Sequence, residues 1–143
     1  MPNSNDFPET SPAPEVPYNI IDLNKDLDIG WLMEISYQQA LNHGWHEERR
    51  TFGDFIALMH SELSEALEDH RAGHKPTEIY FAPELSPLRL GDRKPCGIPI
   101  ELADAVIRIA DYCGLMGIDL DAAIKQKLAF NETRPYRHGG KAL

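Results

Sequence analysis

The sequence predicts an all-α domain. Three observations carry that expectation: apolar residues recur at helical spacing over four separate stretches, each stretch is bracketed by capping or stop residues, and no segment makes a convincing strand. With 143 residues the chain suffices for one domain built on one core. Apolar residues make up 42% and charged residues 26%, the balance of a globular chain and not of a low-complexity or disulfide-stapled one.

Residues 1–27 read as an N-terminal arm, because five of the eleven prolines fall in the first 17 positions among Ser, Asn, Thr and Glu, with little to bury. The domain proper is expected over 28–143. Its first helix runs from Asp28 to about His43, where Trp31, Leu32, Ile35, Ala40 and Leu41 share one side and Gly44 supplies a stop. Thr51, with Asp54 three residues on, has the form of a capping arrangement for a second helix, in which Phe55, Ile56, Met59, Leu63, Ala66 and Leu67 recur as far as Gly73. A long connection over 73–99 carries Pro76, Pro83, Pro87 and Pro95, with room for a short hairpin around Glu78 to Phe81; a connection of this length in a compact domain points to a function or a partner. Pro99 suits the first turn of a third helix, Ile100 to Met116, apolar on most sides and ended by Gly117. Asp119 or Asp121 can cap a fourth helix running to about Thr133, stopped by Arg134-Pro135 ahead of a basic tail over 134–143.

Charge narrows the range of partners. A formal net charge of -9 argues against general binding to nucleic acid, whose phosphates repel an acidic surface. Apolar runs are interrupted well short of the roughly 20 residues that a spanning helix needs, and the N-terminus lacks the basic-then-apolar order of a secretory signal, so the expected compartment is the cytoplasm, with no membrane partner. Cys96 and Cys113 form no CxxC and read as buried thiols, not as a disulfide or a zinc site. Acids crowd the stretch from Glu62 to Asp69, whereas Lys125, Lys127, Arg134, Arg137 and Lys141 gather at the C-terminus. An acidic cluster beside a basic tail suits a phosphate ligand that carries a metal.

The informative anomaly is carboxylates where a helix should be apolar. At about 100° per residue, Glu62 falls within the arc of Phe55, Met59 and Ala66, and Glu65 lies one step around the same edge. The third helix repeats the spacing with Glu101 and Asp104. If the two helices pack antiparallel, four carboxylates converge, and their repulsion demands a divalent cation; all-oxygen ligands favour Mg²⁺ or Mn²⁺ over zinc or copper. A solvated acidic face has the same spacing, with Arg108 as an ion-pair partner on the stripe of Glu101 and Asp104. Glu68, Asp69 and Asp111 read as surface charge.

These residues carry a family resemblance. Glu62-Leu63-Ser64-Glu65 followed by Glu101-Leu102-Ala103-Asp104 resembles the ExxE and ExxD motifs of the MazG-like all-α nucleoside triphosphate pyrophosphohydrolases, in their phage and bacterial branch. Lys127, Asn131 and the segment Arg134-Pro135-Tyr136-Arg137-His138-Gly139-Gly140-Lys141 resemble the end of the same family domain, and the likeness covers about residues 30–143. It implies a four-helix bundle of MazG-like type and Mg²⁺-dependent cleavage (Mn²⁺ as the substitute) of a (deoxy)nucleoside triphosphate between the α- and β-phosphates, as nucleotide-pool housecleaning. It further implies Glu62, Glu65, Glu101 and Asp104 as metal ligands, with Glu62 or Glu65 taking the proton of the attacking water. Lys127, Asn131, Arg134, Tyr136, Arg137 and Lys141 are implied as phosphate or sugar contacts, and Trp45 and His46 as part of a base pocket. Each has a plainer reading beside it: Lys127 as a surface lysine, the tail as a solvated end, Trp45 as core. The chain departs from the family in a longer gap between Glu65 and Glu101 and in Ser61, where many relatives carry a further acid.

Other chemistries fit less well. A di-iron bundle requires Glu-x-x-His pairs, and none occurs. His60-Ser61-Glu62 with Pro95-Cys96 lacks the second cysteine of the zinc deaminase motif, since Pro99 stands there. The alternative that survives is a non-catalytic helical module that dimerises or binds a partner. Under either reading, apolar surface left over by short amphipathic helices is expected to be covered by homo-oligomerisation, with a dimer as the simplest form.

Overall fold

Side-chain caps start three of the four helices. In the computed structural model, which describes residues 26–82 and 93–135, the Asp28 carboxylate accepts from the Trp31 N–H at 2.7 Å and opens α1 (Ile29–Asn42). A full capping box opens α2 (Phe52–Arg71): Thr51 Oγ1 accepts from the Asp54 N–H, and Asp54 Oδ2 accepts from the Thr51 N–H. Asp119 accepts from the Ala122 N–H at 2.9 Å and opens α4 (Leu120–Glu132), which settles the choice between Asp119 and Asp121 as cap. The remaining helix, α3 (Ile98–Met116), starts two residues earlier than the sequence suggests, because Pro99 sits inside its first turn, where the missing N–H costs no intrahelical bond.

The expected absence of strands is corrected in one place. Tyr80–Phe81 (β1) and Pro95–Cys96 (β2) form a two-residue antiparallel ladder, with Tyr80 opposite Cys96 and Phe81 opposite Pro95. The ladder joins the two ends of the long connection, so it is not the local hairpin around Glu78 to Phe81. Gly97 makes the junction possible: its φ is +120°, and a Cβ there would stand 2.3 Å from the Glu78 carbonyl oxygen. The start of α3, and Glu101 with it, is thereby fixed against the connection. Residues 1–25 of the arm and residues 83–92 lie outside the described residues.

α3 is the central helix. Phe55 of α2 meets Tyr112 of α3 with ring centroids 5.0 Å apart, whereas Glu62, two turns further along α2, meets Arg108, earlier in α3. The two helices therefore run antiparallel, as the carboxylate argument requires. On the opposite side α3 packs against α1, where a Cβ on Gly114 would stand 2.8 Å from Tyr37 Cβ and 3.0 Å from the Met33 carbonyl oxygen. Among the described residues the buried apolar ones are few: Phe55, Ala66, Ala105, Ala110 and Cys113. Among the described residues the four helices do not close a bundle, because α4 makes its main contact with α1 and buries none of its residues. Leu63 and Leu67 of α2, Leu102 and Val106 of α3, and Leu128 and Phe130 of α4 are each 46–61% exposed, which leaves a large apolar area uncovered. Among the described residues no helix is long and apolar enough to cross a membrane.

Candidate metal centre

Three of the four carboxylates singled out in the sequence come together. Glu62 projects from the middle of α2, Glu101 from the first turn of α3, and Asp104 from one turn later; one oxygen from each lies within 4.8 Å of the others. Glu62 and Glu101 are buried, at 5% and 4% exposure, and Asp104 is half-buried. Glu65 takes no part in this group: it is exposed at the rim, because three residues of helix turn it away from the arc of Phe55 and Ala66 that packs on α3. It still adds its negative charge to the field at Glu101.

The electrostatics of the group are unbalanced. Loss of water pushes the Glu101 carboxyl above its ordinary value; Lys94 opposes the shift, and the charges of Glu65, Asp104 and Glu62 reinforce it. Asp104 is raised for the same first reason, with Glu62 adding to the shift and Lys94 and Arg108 opposing it. Glu101 Oε2 is buried without a hydrogen-bond partner. A buried carboxylate oxygen left unpaired costs several kcal/mol unless it is protonated or meets a cation. Three convergent carboxylates with one unpaired oxygen are a donor set for a hard divalent cation, so the residues present fit Mg²⁺ or Mn²⁺.

Two cations flank the group. Arg108 Nε donates to Glu62 Oε1 across the α2–α3 interface, so the ion pair anticipated on the stripe of Glu101 and Asp104 is made with Glu62 instead. Lys94, just ahead of β2, was not singled out in the sequence. Its only signal there is its place at the end of the connection, close in sequence to Glu101.

A cleft of about 340 Å³ borders the group through Asp104 alone; it is lined by Ser36, Gln39 and Ala40 of α1 and by Asp104, Arg108 and Asp111 of α3, with Trp45 from the loop between α1 and α2. That volume lies at the small end of ligand-sized clefts, about 300–1,000 Å³. Trp45 is 43% exposed, not core, and the Arg108 guanidinium sits 4.9 Å from its ring centroid. His46, its neighbour, does not line the cleft. Its ring is buried between Tyr37 and Phe55, and Nε2 lies 2.8 Å from Asp111 Oδ1. Asp111 is correspondingly a half-buried partner and not the surface charge that its sequence position suggests. Nothing in the pattern of the chain could have paired two residues 65 positions apart.

The residues proposed to reach phosphate lie elsewhere. Lys127, Asn131 and Arg134 are exposed on and just beyond α4, and none of them lines the cleft; Lys127 Nζ and Arg134 Cζ lie 5.0 and 5.9 Å from the Phe130 ring. Tyr136, Arg137 and Lys141 lie outside the described residues, as does His138. Cys113 is a buried thiol and Cys96 a half-buried one, both free.

No family model, no curated protein and no solved structure matches this chain.

Proposed function

We propose that the chain is a divalent-cation-dependent nucleoside triphosphate pyrophosphohydrolase that acts on the free nucleotide pool of the cytoplasm. The observation that carries this reading is the grouping of Glu62, Glu101 and Asp104, with Glu101 Oε2 buried and unpartnered, next to a cleft bordered by Asp104, an exposed indole and a guanidinium. The order of the ExxE and ExxD motifs in the sequence supports it independently.

Mg²⁺ held by the three carboxylates would neutralise phosphate charge and lower the pKa of a water. Glu65, exposed at the rim, would accept a proton from the attacking water, and Glu62 would be among the residues that hold the ion. Water attacks the α-phosphorus, the bond between that phosphorus and the bridging oxygen breaks, and monophosphate and pyrophosphate leave. Trp45 offers a face for a base, and Arg108 a fork of donors for phosphate oxygens. Lys127, Asn131 and Arg134 reach such a ligand only from a second copy of the chain or through a change in the position of α4. The half-exposed leucines and valine of α2 and α3 support a homodimer, which would cover them.

The test is a panel of ribo- and deoxyribonucleoside triphosphates incubated with Mg²⁺ or Mn²⁺, with the products identified. Monophosphate and pyrophosphate in equal amounts support the reading and name the base. Orthophosphate release places the cut at another bond. Absence of turnover with every base favours the second reading, a helical interaction module, which the large uncovered apolar area also supports.

A further inference from the structure

We propose that Arg108 is a built-in counter-cation for the carboxylate group, exchanged for a divalent ion on loading, so that its guanidinium is released from Glu62 into the cleft beside Trp45. The proposal rests on the reading of Glu62, Glu101 and Asp104 as a cation site, and it adds a coupling between that site and the neighbouring cleft.

The geometry supplies both ends of the exchange. Arg108 Nε donates to Glu62 Oε1, and the Glu62 side chain is only 6% exposed, so this carboxylate has little water to fall back on. The same guanidinium lines the cleft and lies over the Trp45 ring. It therefore already borders the space it would move into, and release requires rotation of a long, flexible side chain with no movement of α3.

Charge explains why the exchange is favourable. One guanidinium paired with Glu62 leaves Glu101 Oε2 unpartnered and three carboxylates within 4.8 Å. The single charge of Arg108 satisfies one oxygen, whereas a doubly charged ion at the centre serves all three residues. Once Glu62 turns an oxygen to such an ion, Arg108 faces a like charge at short range and a weakened acceptor, and the indole of Trp45, over which it already lies, is the partner it keeps. Arg108 then presents its donors to an anion in the cleft. In this arrangement the cation favours a phosphate-bearing ligand through Arg108, and by linkage such a ligand favours retention of the cation.

The competing role is structural support, in which Arg108 holds Glu62 in place for the ion; the two roles predict opposite signs. The experiment is calorimetric titration of the full chain with Mg²⁺ alone, without nucleotide, for wild type, Arg108→Gln, Arg108→Lys and Glu101→Gln. Trp45 emission is followed in parallel in a Trp31→Phe background. Removal of the competing cation in Arg108→Gln is expected to tighten Mg²⁺ binding by roughly ten- to a hundredfold, the range carried by a hydrogen bond to a charged group. Arg108→Lys, which keeps the charge, is expected to stay near wild type and covers the case in which the glutamine variant fails to fold. Mg²⁺ is expected to change Trp45 emission when Arg108 is present and to leave it unchanged in Arg108→Gln. Unchanged or weaker Mg²⁺ binding in Arg108→Gln, or tightening of equal size in Arg108→Lys, overturns the exchange while leaving the cation site standing. Absence of Mg²⁺ binding in wild type, or binding that persists in Glu101→Gln, overturns the cation-site reading and the exchange with it.

Discussion

His46 Nε2 and Asp111 Oδ1 lie 2.8 Å apart, and this contact ties the loop between α1 and α2 to the central helix. The His46 ring also touches Tyr37 of α1 and Phe55 of α2, so one side chain meets all three packed helices. Removing either partner leaves the other poorly solvated. His46→Ala and Asp111→Asn are each expected to destabilise the fold by about 1–3 kcal/mol, the cost of leaving a part-buried polar group without its hydrogen-bond partner. Urea unfolding checks this, and the double variant should cost less than the sum of the two.

Gly114 governs how closely α1 approaches α3. A methyl group there meets Tyr37 Cβ at 2.8 Å and the Met33 carbonyl oxygen at 3.0 Å, and the latter is backbone that cannot rotate away. Alanine gains about 1 kcal/mol of helix propensity, but overpacking costs about 1–3 kcal/mol, so Gly114→Ala is expected to be a net loss. Thermal melts measure it; a stabilised variant would show that the helices part without penalty.

Helices were legible in this sequence because caps and apolar period agree, as Thr51 with Asp54 and the arc of Phe55, Glu62 and Ala66 show. All three of the cluster's members were legible as carboxylates, Glu62 within the apolar arc of α2 and Glu101 with Asp104 at the same three-residue spacing on α3. What the sequence could not supply was pairing between elements. Arg108 stands four residues after Asp104, which suggests a partner on its own helix, yet it reaches across to Glu62. Glu65 sits at the edge of the arc, where a rotation of some tens of degrees decides between rim and interior, and helical spacing alone does not resolve that. His46 and Asp111 carry no periodic signal at all.

Glu101 gives the site a pH signature. Its carboxyl is raised chiefly by burial, so between its ordinary value of 4.5 and its value in the fold the native state holds a proton that the unfolded chain has lost. Stability from this group is therefore present in acid and is lost as pH rises through the native value. Without metal, Glu101→Gln is expected to be more stable than wild type at neutral pH, with the difference vanishing in acid. With Mg²⁺ added at neutral pH the order should reverse, because only wild type gains binding energy. Thermal melts across pH, with and without Mg²⁺, check both signs.

The exposed apolar residues predict an oligomer. Val106 is 50% exposed on the central helix, and Leu102 precedes it by one turn at 48%. If this face is covered by a second copy, Val106→Glu buries an unpaired charge at the interface and should convert the dimer to monomer, as read by sedimentation equilibrium. A wild-type monomer at high concentration would contradict the expectation.

The most direct test of the central claim is pyrophosphate release from nucleoside triphosphates by Asp104→Asn and Glu101→Gln compared with wild type, in Mg²⁺ and with folding verified by circular dichroism. Each amide keeps the shape of the acid and removes the charge a cation needs. Metal-dependent turnover by wild type and a loss of about a hundredfold or more in each variant are expected. Undiminished turnover in the folded variants, or none in wild type with any nucleotide, would contradict it.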